Sequence, residues 1–274
     1  MEVNSILVPV DFSVCSKNAL KIAIELSKKW NSRLRVMHST FLPSTTVGVG
    51  DAMVQPIGGD YDEYESPFEE IELEFPELQN ISYVSKEYHS VVTDAIYTEI
   101  EENNIDLVVM GTKGTHDILE KWMGGITTTV IDFAKVPVLV IPENITSVKA
   151  LKIGIAADFH RIEPHNLNLI KKIADSFDSE VQVFNIGTNE ERMDFQHSKA
   201  KSLLEDHFKK EKLSYHQILD EKTSHGIFEY IDQHKIDLLV MFPRHHKLLE
   251  RMFKASETKK VAMRIKIPML AIHQ

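Results

Sequence analysis

Short apolar runs and helically spaced apolar stripes alternate along the chain. Residues 6–10 (ILVPV) and 107–110 (LVVM) have the length and the aliphatic content of buried parallel strands. Residues 18–30 and 92–101 instead carry apolar side chains at the spacing that places them on one face of a helix. Strands that alternate with helices predict right-handed βαβ units. We therefore predict an α/β fold built from doubly wound parallel sheets.

The second half of the sequence repeats the first. Residues 105–110 (IDLVVM) and 236–241 (IDLLVM) align with a shift of 131 residues and agree at five of six positions, whereas the starts of the two halves align with a shift of 147. The difference falls in residues 41–80, where glycines, prolines and an acidic run predict a long excursion. We predict two tandem domains, residues 1–143 and 144–274, each with a parallel five-stranded sheet.

A glycine-rich turn follows the fourth predicted strand. Gly111 and Gly114 come directly after that strand, and Gly124 and Gly125 precede the next predicted helix. Glycine at the carboxyl end of a parallel strand lets backbone N–H groups approach a phosphate, and the helix that follows directs its positive end there. Ordinary strand-to-helix turns also use glycine. The context favours a nucleotide-phosphate loop.

Together with the first strand, this loop resembles the universal stress protein family. The family signature G-x2-G-x9-G-[ST] is matched by Gly111, Gly114 and Gly124, with Gly125 where serine or threonine is expected. The resemblance covers nearly the whole chain. It implies two Rossmann-like domains of the adenine-nucleotide alpha-hydrolase type, and it implies ATP or AMP as ligand, with Mg²⁺ accompanying ATP.

The resemblance also implies which residues bind the nucleotide. The glycines would hold the phosphates, and strand ends would hold the nucleoside. The candidates are Pro9, Val10, Asp11, His38, Ser39, Met110, Gly111, Lys113, Gly114, Gly124, Gly125, Thr127 and Thr128.

Several of these residues have an equally simple structural reading. Asp11 could accept hydrogen bonds from the nucleoside, or it could cap the helix that follows. Lys113 could face a phosphate or solvent. Thr127 or Thr128 could supply the hydroxyl that Gly125 lacks, or both could simply begin a helix. The residues alone leave these alternatives open.

The second half lacks the glycine loop. Phe242, His245 and Ala255 stand at the positions that align with the three signature glycines, so we expect a degenerate site. Ten of the thirteen histidines lie in this half, which makes Asp158, His160, His245 and His246 conceivable metal ligands. No HxH or HxxxH spacing accompanies them, and polar surface histidines are the favoured interpretation.

Composition limits the partners and the compartment. The formal net charge of −10 disfavours binding to nucleic acid or to anionic membranes. A single cysteine, Cys15, suits a reducing compartment. No signal peptide and no apolar run of transmembrane length is visible, so we expect a cytoplasmic protein.

No catalytic constellation is visible, and slow ATP hydrolysis is the most that we expect. The leading hypothesis is a cytoplasmic stress-response protein whose first half binds ATP or AMP as a switch that changes its interaction with a protein partner. The alternatives are a nucleotide-free interaction module and, more weakly, a slow adenine-nucleotide hydrolase. By analogy with the family, residues 136–141 and 267–272 are expected to pair across a pseudo-twofold axis, so that one chain is equivalent to a dimer. A further homodimer is a separate possibility.

Overall fold

Strands and helices alternate in both halves of the chain. The computed structural model describes residues 2–40, 66–112, 125–157, 162, 164–187, 199–243, 261–262 and 264–273. The first half contains β1 (Ser5–Pro9), α1 (Val14–Trp30), β2 (Arg33–Ser39), α2 (Glu69–Glu74), β3 (Tyr83–Tyr88), α3 (Val92–Glu102), β4 (Leu107–Thr112), α4 (Ile126–Phe133) and β5 (Val138–Pro142). The second half contains β6 (Lys152–Ala156), α5 (Pro164–Phe177), β7 (Glu180–Gly187), α6 (Lys199–His207), β8 (Leu213–Leu219), α7 (Thr223–His234), β9 (Leu238–Met241) and β10 (Met269–Ala271).

The ten strands of the described residues form one sheet, in the order β3-β2-β1-β4-β5-β10-β9-β6-β7-β8. Strands within each half are parallel, whereas β5 and β10 are antiparallel, with Leu139 opposite Leu270. The expected pairing of the last strands is therefore present. It joins the two predicted five-stranded sheets into a single sheet, because these fully buried apolar strands would otherwise leave backbone N–H and C=O groups unpaired at an edge. The division into domains at residues 143 and 144 stays a prediction.

Helices cover both faces of the sheet. Successive strand residues such as Ile6 and Leu7 belong to different apolar clusters, because side chains alternate between the faces of a strand. One cluster receives the buried residues of α1, α2, α5 and α6, and the other receives those of α3, α4 and α7. The chain therefore forms the doubly wound α/β architecture that the alternating pattern predicts.

The excursion after β2 is partly built into the core. Residues 41–65 lie outside the described residues, but residues 66–80 form α2 and a 3₁₀ turn. Phe68, Ile71 and Leu78 from this part are buried against α1 and the sheet. Lys17 on α1 also forms an ion pair with Glu74 on α2, at 2.6 Å. The end of the excursion thus covers one face of the first half.

Matching polar contacts recur in the two halves. Asp106 accepts a hydrogen bond from the backbone N–H of Ser5, and Asp237 accepts one from that of Lys152. The hydroxyl groups of Ser32 and Ser179 donate to carbonyl oxygens that precede β1 and β6. The two aspartates are 131 residues apart and the two serines 147 residues apart, as the repeat predicts. The repeat in the sequence therefore extends to individual contacts.

Candidate functional site

A cavity of about 530 Å³ opens at the carboxyl ends of the first-half strands. It lies beside β1 and β4, where the strand order reverses, because β2 and β3 extend to one side of β1 and β4 and β5 to the other. Doubly wound sheets bind their ligands at this switch point. Its described lining residues are Pro9, Val10, Asp11, Ser13, Cys15, Ser16, Ser39, Val92, Met110, Gly111, Thr112, Gly125, Ile126, Thr127 and Thr128.

The starts of two helices meet at this cavity. Ser13 caps α1 and accepts a hydrogen bond from the backbone N–H of Ser16. Gly125 precedes α4, and the described residues provide no side-chain cap for this helix. The first N–H groups of a helix have no partner within it, and the helix dipole adds positive potential there. The start of α4 can therefore bind an anion in the cavity.

Gly111 is needed for helix packing. A Cβ atom on this residue would lie 2.4 Å from the carbonyl oxygen of Cys15, in the first turn of α1. That separation is far below van der Waals contact, so only glycine lets β4 end this close to α1. Its part in phosphate binding is a separate matter that stays a prediction.

Gly125 lies in a different environment. Among the described residues, a Cβ atom there would meet only the Oγ1 atom of Thr128, at 4.0 Å, and the φ of −59° and ψ of 149° suit any L-residue. The Thr128 hydroxyl donates to the Gly125 carbonyl oxygen at 2.7 Å, and the Thr127 hydroxyl donates to that of Gly111 at 3.1 Å. Both hydroxyl hydrogens are thus engaged, which favours the interpretation of these threonines as helix-start residues. At the start of α4, the backbone N–H groups are therefore the donors that an anion in the cavity could reach.

Asp11 lies in the turn before α1, which is capped by Ser13 and not by Asp11, and its binding to a nucleoside stays a prediction. Its carboxylate accepts hydrogen bonds from the Ser13 hydroxyl at 2.5 Å and from the Ser13 backbone N–H at 3.0 Å. Burial alone would raise the pKa of Asp11, but the hydrogen bonds from Ser13 and Ser16 outweigh it and lower the pKa below its ordinary value. Asp11 therefore orders the turn before α1 as an ionised carboxylate, and it also lines the cavity.

His38 supports the wall of the cavity from behind. Its Nδ1 atom donates to the Val10 carbonyl oxygen at 2.7 Å, and its ring packs against Phe12 with centroids 4.6 Å apart. Phe12 has a φ of 61°, an unfavourable backbone conformation for a residue with a bulky side chain. The second half repeats the contact, since the Asn185 side chain donates to the Ala157 carbonyl oxygen at 2.9 Å. Among the described residues, Ser39 lines the cavity and His38 does not, so a role of His38 in nucleotide binding stays a prediction.

Several predicted residues lie outside the described part of the chain. These are Lys113, Gly114 and Gly124 of the glycine loop, and the metal candidates Asp158, His160, His245 and His246.

The structure also adds residues to the cavity that sequence reasoning missed. Cys15 and Ser16 come from α1, Val92 from α3, and Ile126 from α4. Their shared signal in the sequence is position, because each lies within the first turn of a helix that follows a strand.

The described residues of the second half differ from those that line the cavity of the first half. Phe242, which aligns with Gly111, is partly buried against the apolar cluster that also contains Ile162. Ile162, which aligns with Cys15, is not helical, and α5 begins at Pro164. The second half thus has phenylalanine at the position where the first half requires glycine, and its helix α5 is shorter at the start than α1.

The fold and the site define the class of protein: a tandem doubly wound α/β protein with a ligand-sized cavity at the switch point of its first half. The model of the Universal stress protein family matches residues 2–142 and 172–273. The chain therefore belongs to this family, as the sequence predicts. Among curated proteins, none matches the sequence significantly.

Solved structures agree with this fold. A universal stress protein from Archaeoglobus fulgidus DSM 4304 aligns with a TM-score of 0.68 and 18% identity, over 100% of this chain and 97% of that chain. A putative universal stress protein from Pseudomonas aeruginosa UCBPP-PA14 aligns with a TM-score of 0.62 and 13% identity, over 99% of this chain and 93% of that chain. Within the described residues, no helix has the length and apolar character needed to cross a membrane.

Proposed function

We propose that the first domain, residues 1–143, binds an adenine nucleotide, ATP or AMP, and that the nucleotide acts as a regulatory switch. The observation that carries the proposal is the cavity at the switch point, on which the starts of α1 and α4 converge. Its volume of about 530 Å³ lies within the range of small-molecule sites. The preference for adenine rests on the family resemblance.

The cavity offers different surfaces to the two ends of a nucleotide. Val10, Val92 and Met110 supply apolar contacts suited to a purine ring. The start of α4, for which the described residues provide no side-chain cap, supplies backbone N–H groups suited to phosphate oxygens. Mg²⁺ would accompany ATP as the ion of its phosphates.

We expect one nucleotide per chain. Phe242 replaces the glycine that keeps the end of β4 close to α1, so the second half would serve as a structural partner. Its association with the first half through β5 and β10 makes one chain the equivalent of a dimer. The family supports a stress-response role, and the single cysteine of the sequence supports a cytoplasmic location, whereas a protein partner stays a prediction. A further homodimer stays a prediction.

Calorimetric titration of nucleotide-stripped, full-length protein with ATP, AMP and GTP tests the proposal. We expect saturable binding of an adenine nucleotide near one equivalent, and weaker binding of GTP. Equal affinity for GTP would contradict the preference for adenine. No saturable binding at millimolar nucleotide would refute the site and favour the nucleotide-free interaction module.

Gly125→Asp provides a blocked variant that should stay folded. The described residues leave room for a side chain at this position, and aspartate is a better helix cap than glycine by a few tenths of a kcal/mol. Its negative charge would repel phosphate, and we expect at least about tenfold weaker ATP binding, equivalent to about 1.4 kcal/mol. Gly125→Asn, with the same shape and no charge, is the control and should lose less affinity. Equal ATP binding by wild type and Gly125→Asp would contradict the phosphate position.

Hydrogen exchange tests the switch. Binding of ATP should slow amide exchange in the first turns of α1 and α4, and it should also change exchange at the surface that contacts a partner. If ATP slows amide exchange only at the cavity, the protein binds the nucleotide but the proposed switch is contradicted. The slow-hydrolase alternative is weak, because Asp11 is the one carboxylate among the described lining residues and it already holds Ser13.

A further inference from the structure

A second group of ligand-type side chains lies at the carboxyl end of β8, in the other half of the protein. Asp220 follows β8, and His225 and Glu229 lie on α7. One donor atom from each side chain lies within 4.8 Å of the other two. His225 and Glu229 are four residues apart on the helix, so both project from the same face.

The central carboxylate of this group is already oriented. The Asp220 Oδ1 atom accepts a hydrogen bond from the Lys222 backbone N–H at 2.7 Å, and its Oδ2 atom lies 2.6 Å from His225 Nδ1. The Asp220 side chain is only 15% exposed, whereas that of His225 is 68% exposed. The hydrogen-bonded carboxylate of Asp220 therefore lies at the base of the group. The side chains of His225 and Glu229 are exposed, so an ion can reach the group from solvent.

The first half shows that the fold does not require these three side chains. By the register of β3 and β8, Ser90 corresponds to Asp220. Counted from the first residues of α3 and α7, Asp94 corresponds to His225 and Thr98 to Glu229. There Thr98 donates to the backbone carbonyl of Asp94 at 2.9 Å, a local helix contact. The same loop and helix therefore form without the group, and only the second half combines one imidazole with two carboxylates here.

We propose that Asp220, His225 and Glu229 bind one divalent first-row transition-metal ion, with Zn²⁺ as the representative. Imidazole nitrogen and carboxylate oxygen are ligands that such ions accept. The two carboxylates supply two negative charges, which offset the positive end of the α7 dipole. Three protein ligands leave a coordination position for water or an exogenous ligand. The site is independent of the nucleotide cavity.

Calorimetric titration of the chelator-treated, full-length protein with Zn²⁺ tests the assignment. Because the chain has thirteen histidines, the site is identified by variants and not by stoichiometry alone. We expect one binding event whose affinity falls at least about tenfold in His225→Ala and in Glu229→Gln, since even outer-shell changes reach that size. The matched controls are His165→Ala on α5 and Asp232→Asn on α7, both exposed and outside the group, which should bind as wild type.

Thermal unfolding gives a second measurement on the same proteins. Zn²⁺ should raise the melting temperature of wild type and of both controls, and it should not raise that of His225→Ala. Circular dichroism before titration establishes that the variants are folded. Equal Zn²⁺ affinity in wild type and His225→Ala, or no Zn²⁺ binding by wild type, would overturn the site and leave Asp220 and His225 as a surface ion pair.

Discussion

Replacement of Glu99 by glutamine should destabilise the first half strongly. The Glu99 carboxylate on α3 has a side-chain exposure of 1%. It accepts hydrogen bonds from Arg35 Nε at 2.7 Å, from the Tyr88 hydroxyl at 2.7 Å and from Asn103 Nδ2 at 3.0 Å. These partners come from β2, β3 and the end of α3, so one buried charge joins three elements.

The expected loss follows from burial. Removing one partner of a buried ion pair costs about 3–5 kcal/mol, because the other charge stays buried without compensation. The Arg35 side chain is 13% exposed, and glutamine can still accept one hydrogen bond, so we expect the lower end, about 3 kcal/mol. For a protein of this size each kcal/mol shifts the melting temperature by about 2–4 °C, which predicts a fall of about 6–12 °C.

Lowering the pH should reduce the difference in the free energy of unfolding between wild type and Glu99→Gln. Burial alone would raise the pKa of Glu99, but hydrogen bonds from Arg35 and Tyr88 outweigh it and lower the pKa below the ordinary value of 4.5. A carboxylate with a lowered pKa in the folded state stabilises the protein above its unfolded-state pKa. That contribution is lost as the pH falls through the folded-state pKa, so the two proteins should converge only below about pH 4.5.

Urea unfolding of both proteins over a range of pH values measures these effects. Glu101→Gln is the control, because Glu101 pairs with Lys135 on the surface, where the side chains are 63% and 80% exposed. An exposed pair contributes little, so this variant should unfold like wild type. If Glu99→Gln at neutral pH is as stable as Glu101→Gln, the buried network does not stabilise the fold and our reasoning is wrong.

Three further predictions follow from single contacts. Gly111→Ala should destabilise the protein by about 2 kcal/mol in thermal unfolding, because its Cβ would lie 2.4 Å from the Cys15 carbonyl oxygen. Gly125→Ser should preserve the fold and raise ATP affinity about fivefold in calorimetry, the effect of one added hydrogen bond of about 1 kcal/mol. Burial and the nearby His234 lower the pKa of His216 below 6.5, so its stabilising contribution should be lost as the pH falls below that value. His216→Gln should therefore show a smaller loss of stability than wild type between about pH 7.5 and about pH 5.5 in urea unfolding; an equal loss would contradict this role.

The two repeats use different chemistry at the position of the buried network. Gln182 aligns with Arg35 and Tyr230 aligns with Glu99, and the Tyr230 hydroxyl donates to Gln182 Oε1 at 2.9 Å. A neutral hydrogen bond thus replaces the ion pair. The alignment of the repeats identifies these positions from the sequence. The contacts between them depend on the packing of α3 against β2 and of α7 against β7, which only the structure shows.

The candidate site was predictable in outline. Strand ends and glycines are local features, so Asp11 and Gly111 were correctly placed beside one another at the carboxyl edge of the sheet. The reason for Gly111 was not predictable, because the atom that excludes a Cβ belongs to Cys15, on a different element. The hydrogen-bond partners of Thr127 and His38 were not predictable either, because they are Gly111 and Val10, which also lie on, or directly after, a different element.

The sequence by itself determined the alternation of strands and helices, the tandem repeat and the family. These properties depend on apolar spacing and on short motifs, which are local along the chain. Only the tertiary structure decided the register in which β5 and β10 pair, the contact with Cys15 that requires glycine at residue 111, and the proximity of Asp220 to His225 and Glu229. Such contacts depend on strand register and on which face of a helix packs against the sheet. Both are determined by packing between residues that are far apart in the chain.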